Sequence, residues 1–100
     1  MEFGLSDIVI ERINNVFSKE PKIETVIIFG SRAKGNFKPG SDIDFALKGD
    51  GITHNDNLNI SRMLDELNLP YLIDLINYNS ITDKDVVEHI DRVGKVFYRK

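Results

Sequence analysis

Phe29-Gly30-Ser31-Arg32-Ala33-Lys34-Gly35, followed by a polar loop into Ser41-Asp42-Ile43-Asp44-Phe45, is the stretch that decides how this chain is built. The run that feeds it, residues 23–29 (Ile-Glu-Thr-Val-Ile-Ile-Phe), is rich in β-branched and aromatic types and reads as a buried strand. Gly30 permits a tight turn at the end of that strand, and Ser31 opens a short helix that stops at Gly35. The loop 36–41 contains Pro39-Gly40, a turn signal. Residues 42–48 (Asp-Ile-Asp-Phe-Ala-Leu-Lys) read as a second strand. On a strand, Asp42 and Asp44 point to one face with Cβ atoms about 6.5–7 Å apart.

On the N-terminal side, Leu5, Ile8, Val9, Ile13, Val16 and Phe17 recur at helical spacing over residues 5–18, with Ser6 as a candidate N-cap and Pro21 closing the segment. On the C-terminal side, Gly49-Asp50-Gly51 breaks the second strand. Residues 56–67 form a helix with a broad apolar stripe, and residues 71–77 (Tyr-Leu-Ile-Asp-Leu-Ile-Asn) a third apolar strand. Thr82 with Asp85 resembles a capping box for a helix through about Arg92 that uses Val86, Val87, Ile90 and Val93. Gly94 occupies a C-cap position, and Lys95 to Tyr98 make a last strand. The alternation α-β-α-β-α-β-α-β implies an α/β fold of the mixed α+β kind, a small mixed β-sheet flanked by α-helices. Strand order is not legible at this level.

With 100 residues, the chain has the size of one compact domain, and no linker or repeat divides it, so 1–100 is read as a single domain. The absence of cysteine excludes disulfides and thiolate metal sites. No apolar run approaches the roughly 20 residues that span a bilayer, and Met1-Glu2-Phe3-Gly4 lacks the basic start of a signal peptide, so the expected location is the cytoplasm. A net charge of −3 argues against nucleic acid as the main partner, because a domain that grips a phosphate backbone is usually basic.

Three carboxylates ask for an explanation. Asp74 sits in the middle of Leu72-Ile73-Asp74-Leu75-Ile76, and an ionised carboxylate buried in such a strand is costly unless paired or bound to a metal. The plain explanations are solvation at a strand end for Asp42 and a salt bridge for Asp74. Oxygen-only ligands at a converging strand edge instead suit a hard cation such as Mg²⁺, shared between carboxylates and substrate phosphates. Two such ions can activate an attacking oxygen and stabilise the leaving one. Gly30 and Ser31 supply a backbone and hydroxyl cradle for an anion, with Arg32 and Lys34 adding charge nearby. Alone, that turn is an ordinary strand–helix junction with a serine cap. The combination with the acids is what makes it specific.

Gly30-Ser31, the spacer, Asp42-Ile43-Asp44 and the later Asp74 together resemble the signature of the minimal nucleotidyltransferases of the DNA polymerase β superfamily. The resemblance runs from Ile23 to the Gly94-to-Tyr98 strand and implies the nucleotidyltransferase fold. It also implies roles. Gly30 and Ser31, with Arg32 and Lys34, would bind the nucleotide phosphates; Asp42 and Asp44 would bind two Mg²⁺ ions, with Mn²⁺ as a substitute; Asp74 would complete the catalytic metal site and help deprotonate the acceptor hydroxyl. The implied reaction is in-line attack on the α-phosphate of an NTP, most simply ATP, with pyrophosphate leaving. Relatives of this size are commonly paired with a small helical HEPN-type protein in a toxin–antitoxin module, in which the nucleotidyltransferase is the antitoxin and can AMPylate a partner tyrosine. A hetero-oligomer follows from that likeness. The alternatives are a nucleotide- or toxin-binding module without turnover, and the catalytic subunit of a two-component enzyme acting on a small molecule.

The remaining polar residues read plainly. His54 falls in a polar loop and His89 beside Glu88 on the surface of the last helix; neither is expected as a ligand. Phe37 is expected to pack over the core, and Tyr71, Tyr78, Phe97 and Tyr98 to be core or partner surface.

Overall fold

The computed structural model describes residues 2–100. Helix α1 (Asp7–Ser18) is capped by Ser6, whose hydroxyl accepts the Val9 N–H at 3.3 Å. Strand β1 (Thr25–Phe29) leads through Gly30 into the single-turn helix α2 (Ser31–Lys34). Then follow strand β2 (Ile43–Lys48), helix α3 (His54–Asp65), strand β3 (Ile73–Asn77), a 3₁₀ turn (Tyr78–Ser80), helix α4 (Lys84–Val93) and strand β4 (Lys95–Arg99). The elements form one mixed sheet of order β3-β2-β1-β4. β1 pairs antiparallel with both β2 and β4, and β2 pairs parallel with β3.

Alternation along the strands divides the sheet into two faces. Val26, Ile28, Ile43, Phe45 and Leu47 enter the main core, where they meet Ile13, Val16 and Phe17 of α1 and Ile60 and Leu64 of α3. Phe17 stands edge-on to Phe45, with ring centroids 5.2 Å apart. The opposite face carries Ile27 and Ala46 and is covered by α4 through Ile90, with Phe29, Ile76 and Val86 packed alongside. α4 is the one long helix on that face, so the face stays open where its cover ends.

Four details depart from the sequence-based expectations. α3 begins at His54 rather than 56, because Thr53 and Asp56 form a reciprocal capping box: Asp56 N–H donates to the Thr53 hydroxyl (3.1 Å) and Thr53 N–H to the Asp56 carboxylate (2.9 Å). His54 is therefore the first residue of a helix, although exposed as expected. The cap of α4 is Asp83, not Thr82; its carboxylate accepts the Asp85 N–H at 2.9 Å. Gly94 does cap α4, but in an extended conformation (φ −66°, ψ 149°). Glycine is required there by space, since a Cβ would fall on the Ile90 carbonyl oxygen and the Ile27 side chain.

Candidate active site

The acids come together through sheet register. Asp44 on β2 and Asp74 on β3 are direct partners across the parallel pair. Adjacent strands lie about 4.7–4.9 Å apart, so the two carboxylates project side by side from one face. That is the face carrying Ala46 and Phe29, next to the cover of α4. The pairing is extended one step upstream by the Ile43 N–H, which donates to the Leu72 carbonyl at 2.9 Å.

Asp44 is half-buried, and its carboxyl pKa is raised. Burial is the first cause, followed by the neighbouring charges of Asp74 and Asp42 and a hydrogen bond shared with Asp74. The His89 imidazole acts in the opposite sense and pulls the value down. Negative charge is thus concentrated at one half-buried point, an arrangement that a divalent cation would relieve and that an oxygen-only donor set suits. Among the described residues, no three Asp, Glu, His or Cys side chains already stand together in metal-binding geometry. Asp44 faces Asp74 across the β2–β3 register, while Asp42 lies exposed one residue before β2 begins.

Two premises about these acids change as a result. Asp42 is not on the strand with Asp44, because β2 starts at Ile43. Nor is Asp74 a buried charge. β3 is an edge strand with no fully buried residue, and Asp74 itself is exposed. Its aliphatic neighbours misled on this point: Leu72 is 72% exposed. What distinguishes Asp74 is its register against Asp44, not its burial.

The cradle lies at the end of β1, the strand next to β2. Gly30 has φ 73° and ψ −155°, a backbone region that is essentially glycine-only. Its missing side chain also makes room for the Asp44 carboxylate, since a Cβ would overlap Oδ2 of Asp44. The turn closes through Lys34 N–H to the Gly30 carbonyl (3.1 Å) and Gly35 N–H to the Ser31 carbonyl (2.9 Å). Gly35 ends it in the left-handed region at φ 89°. The preceding N–H groups of Ser31, Arg32 and Ala33 begin the turn and have no intrahelical acceptor. Ser31 is half-exposed, and Lys34 is exposed at the far end of the turn.

Arg32 contradicts its expected role as a phosphate ligand. It is 2% exposed and turned inward. Nε and Nη2 donate to the Ser41 carbonyl (3.1 and 2.9 Å), Nη2 also to the Pro39 carbonyl (3.2 Å), and Nη1 to the Phe3 carbonyl (2.8 Å). The guanidinium also lies over the rings of Phe37 and Tyr71, 5.2 and 4.8 Å from their centroids. Phe37 thus packs, as expected, but on a buried cation. His89 was missed in the opposite direction. It is half-buried, stands edge-on to Phe29 with centroids 6.2 Å apart, and influences Asp44. Its spacing held the signal: Val86, His89 and Ile90 fall at i, i+3 and i+4, one stripe of α4.

The sequence profile of the family described as "Polymerase beta, Nucleotidyltransferase" matches residues 11–100. No curated protein matches the sequence. Among solved structures, a toxin–antitoxin complex with AMP-PNP superposes with TM-score 0.74 at 21% identity, over 96% of this chain and 75% of the other. A complex of tri-AMPylated HEPN toxin from Shewanella oneidensis with MNT antitoxin gives TM-score 0.70 at 16% identity, covering 96% and 74%. The toxin–antitoxin pair MntA–HepT gives 0.69 at 16%, covering 95% and 74%. At these identities the likeness is one of fold.

Proposed function

This chain belongs to the polymerase β nucleotidyltransferase family, and on that premise we propose that it transfers AMP from ATP to a hydroxyl of a helical HEPN-type protein, a tyrosine side chain, as the antitoxin of a toxin–antitoxin pair. The observation that carries the reading is the register pairing of Asp44 with Asp74 beside the Gly30–Ser31 turn. It joins a place for phosphates to a place of excess negative charge. The solved relatives that share the fold include a complex with AMP-PNP and an AMPylated HEPN toxin, which supports both the nucleotide and the acceptor class.

Each residue has a task in this scheme. The N–H groups that open α2, with the Ser31 hydroxyl, hold the β- and γ-phosphates, and Gly30 lets them approach the backbone. Lys34, exposed, adds charge at the rim of that turn. Asp44 and Asp74 hold divalent metal, Mg²⁺ or Mn²⁺, and Asp42 joins them by turning in from the loop end. When bound, the ions offset charge on the phosphates and on the leaving pyrophosphate. Asp74, exposed on the edge strand, is open to an incoming acceptor hydroxyl and takes its proton. Most of the rate then comes from alignment of the acceptor, the α-phosphate and the leaving group.

A second reading, a nucleotide- or toxin-binding module without turnover, is favoured by one observation: among the described residues, no three acids already stand together in metal-binding geometry. Incubation of the chain with a HEPN-type partner, α-labelled ATP and Mg²⁺ separates the two. Label on the partner, absent with Asp44→Ala, is the expected result. A folded wild-type chain that binds ATP and partner yet transfers no label would leave the binding module.

A further inference from the structure

We propose that Arg32 is a positioning residue, a buried guanidinium that sets the placement of the phosphate turn relative to Asp42 and Asp74. This role rests on the metal and nucleotide reading above. Arg32 is the largest fully buried side chain of the protein. Its own backbone follows Ser31 in the phosphate turn. Two of its nitrogens converge on the Ser41 carbonyl, the peptide group joined directly to Asp42. A third contact, to the Pro39 carbonyl, anchors the same loop upstream. Its plane meets Tyr71, which precedes Leu72, the residue whose carbonyl receives the Ile43 N–H at the start of the β2–β3 pair. One planar group therefore touches the segment after Ser31, the segment before Asp42 and the segment before Asp74.

The chemistry of the contacts points to positioning and not to simple filling. Among the described residues, no carboxylate stands within ion-pair distance of Arg32; the ion pair recorded is Lys22 with Asp56. The buried charge is satisfied by backbone carbonyls and aromatic faces instead. Burying a cation in this way is costly relative to an apolar side chain of similar volume. An apolar residue would fill the space but could not orient the Ser41 carbonyl. The rigid fork does so from two nitrogens at once, and a lysine ammonium, with no fixed plane, cannot. Asp42 itself is exposed, one residue before β2, so its placement follows from how the Ser41 peptide is held.

The test is Mn²⁺ binding to the apo chain, read from the loss of the free-ion electron paramagnetic resonance signal. It compares wild type, Arg32→Lys and a core control, Leu64→Ala on α3, which is 2% exposed and packs on the sheet face opposite the acids. Arg32→Lys is expected to weaken Mn²⁺ binding about 10–100-fold, the usual effect of losing a group that orients metal ligands. Leu64→Ala is expected to lower the melting temperature while keeping wild-type affinity. Phe37→Leu removes one stacking face and no hydrogen bond, and is expected to weaken binding by a smaller factor. It decides the matter if Arg32→Lys does not fold. Unchanged Mn²⁺ affinity in the folded Arg32 and Phe37 variants, or an equal loss in Leu64→Ala, overturns the positioning role and leaves the metal reading intact. A wild-type chain that takes up no Mn²⁺ overturns both.

Discussion

Replacing Gly30 by alanine should damage the protein by two separable routes. The first is backbone strain. At φ 73° and ψ −155° an L-residue is held in a region that costs about 1–3 kcal/mol. In a domain of this size each kcal/mol lowers the melting temperature by about 4–8 °C, so a mid-range loss of about 2 kcal/mol corresponds to about 8–16 °C. The second route is steric and local. The new methyl would overlap Oδ2 of Asp44, with its Cγ at 3.4 Å and Cβ at 3.7 Å, so the carboxylate must shift from its place. A displacement of about 1 Å at a reacting centre can cost about 10²-fold in rate, and transfer of label should fall by at least that factor. A double-mutant cycle separates the routes. In an Asp44→Ala background the overlap is gone, because only Cβ remains, at 3.7 Å, and Gly30→Ala should cost the strain alone. The difference between backgrounds, about 0.5–3 kcal/mol by thermal or urea melts, measures the clash. Two results would refute the reasoning: Gly30→Ala with wild-type stability and transfer, or equal costs in both backgrounds.

Asp44→Asn should stabilise the metal-free protein at neutral pH. The folded-state pKa of Asp44 is raised, so its ionisation works against folding. Metal-free wild type should therefore lose stability as pH rises through that pKa, and the asparagine variant should lose less. Melting curves against pH check this, and adding Mg²⁺ should raise the wild-type melting temperature but not that of the variant. Thr53→Ala should cost about 0.5–2 kcal/mol by opening the α3 capping box, with transfer activity retained. The partner of that cap, Asp56, has a lowered pKa, first through the Thr53 N–H and then through Lys22. Its contribution is therefore complete above the ordinary carboxylate range and lost as pH falls through the folded value. Acid melts of an Asp56→Asn protein should show a shallower decline than wild type.

Much of this architecture was legible in local pattern. β-branched runs marked β1 and β2, helical spacing and Ser6 marked α1, and Gly30 and Gly35 bounded the α2 turn within a residue. These features depend on neighbours in the chain, where propensity and turn chemistry act directly. The errors cluster where partners are distant. An aliphatic run around Asp74 reads as a buried strand, but burial depends on whether both flanks of a strand are paired, and β3 is paired on one. Arg32 beside Ser31 reads as a phosphate ligand, because nothing in the order of residues says that three carbonyls and two rings will meet it inside. His89 reads as surface because Phe29 and Asp44 are some sixty and forty-five positions away in the chain.

By itself, the sequence determined the alternating order of helices and strands and the glycine-serine turn, and it singled out the acids proposed to share a cation. Those depend on residue chemistry and on spacings of a few residues. Tertiary structure alone decided the order β3-β2-β1-β4, and with it that Asp74 stands against Asp44. Strand neighbours and register come from the sum of many long-range side-chain contacts across the sheet faces, and no short stretch of the chain contains that sum.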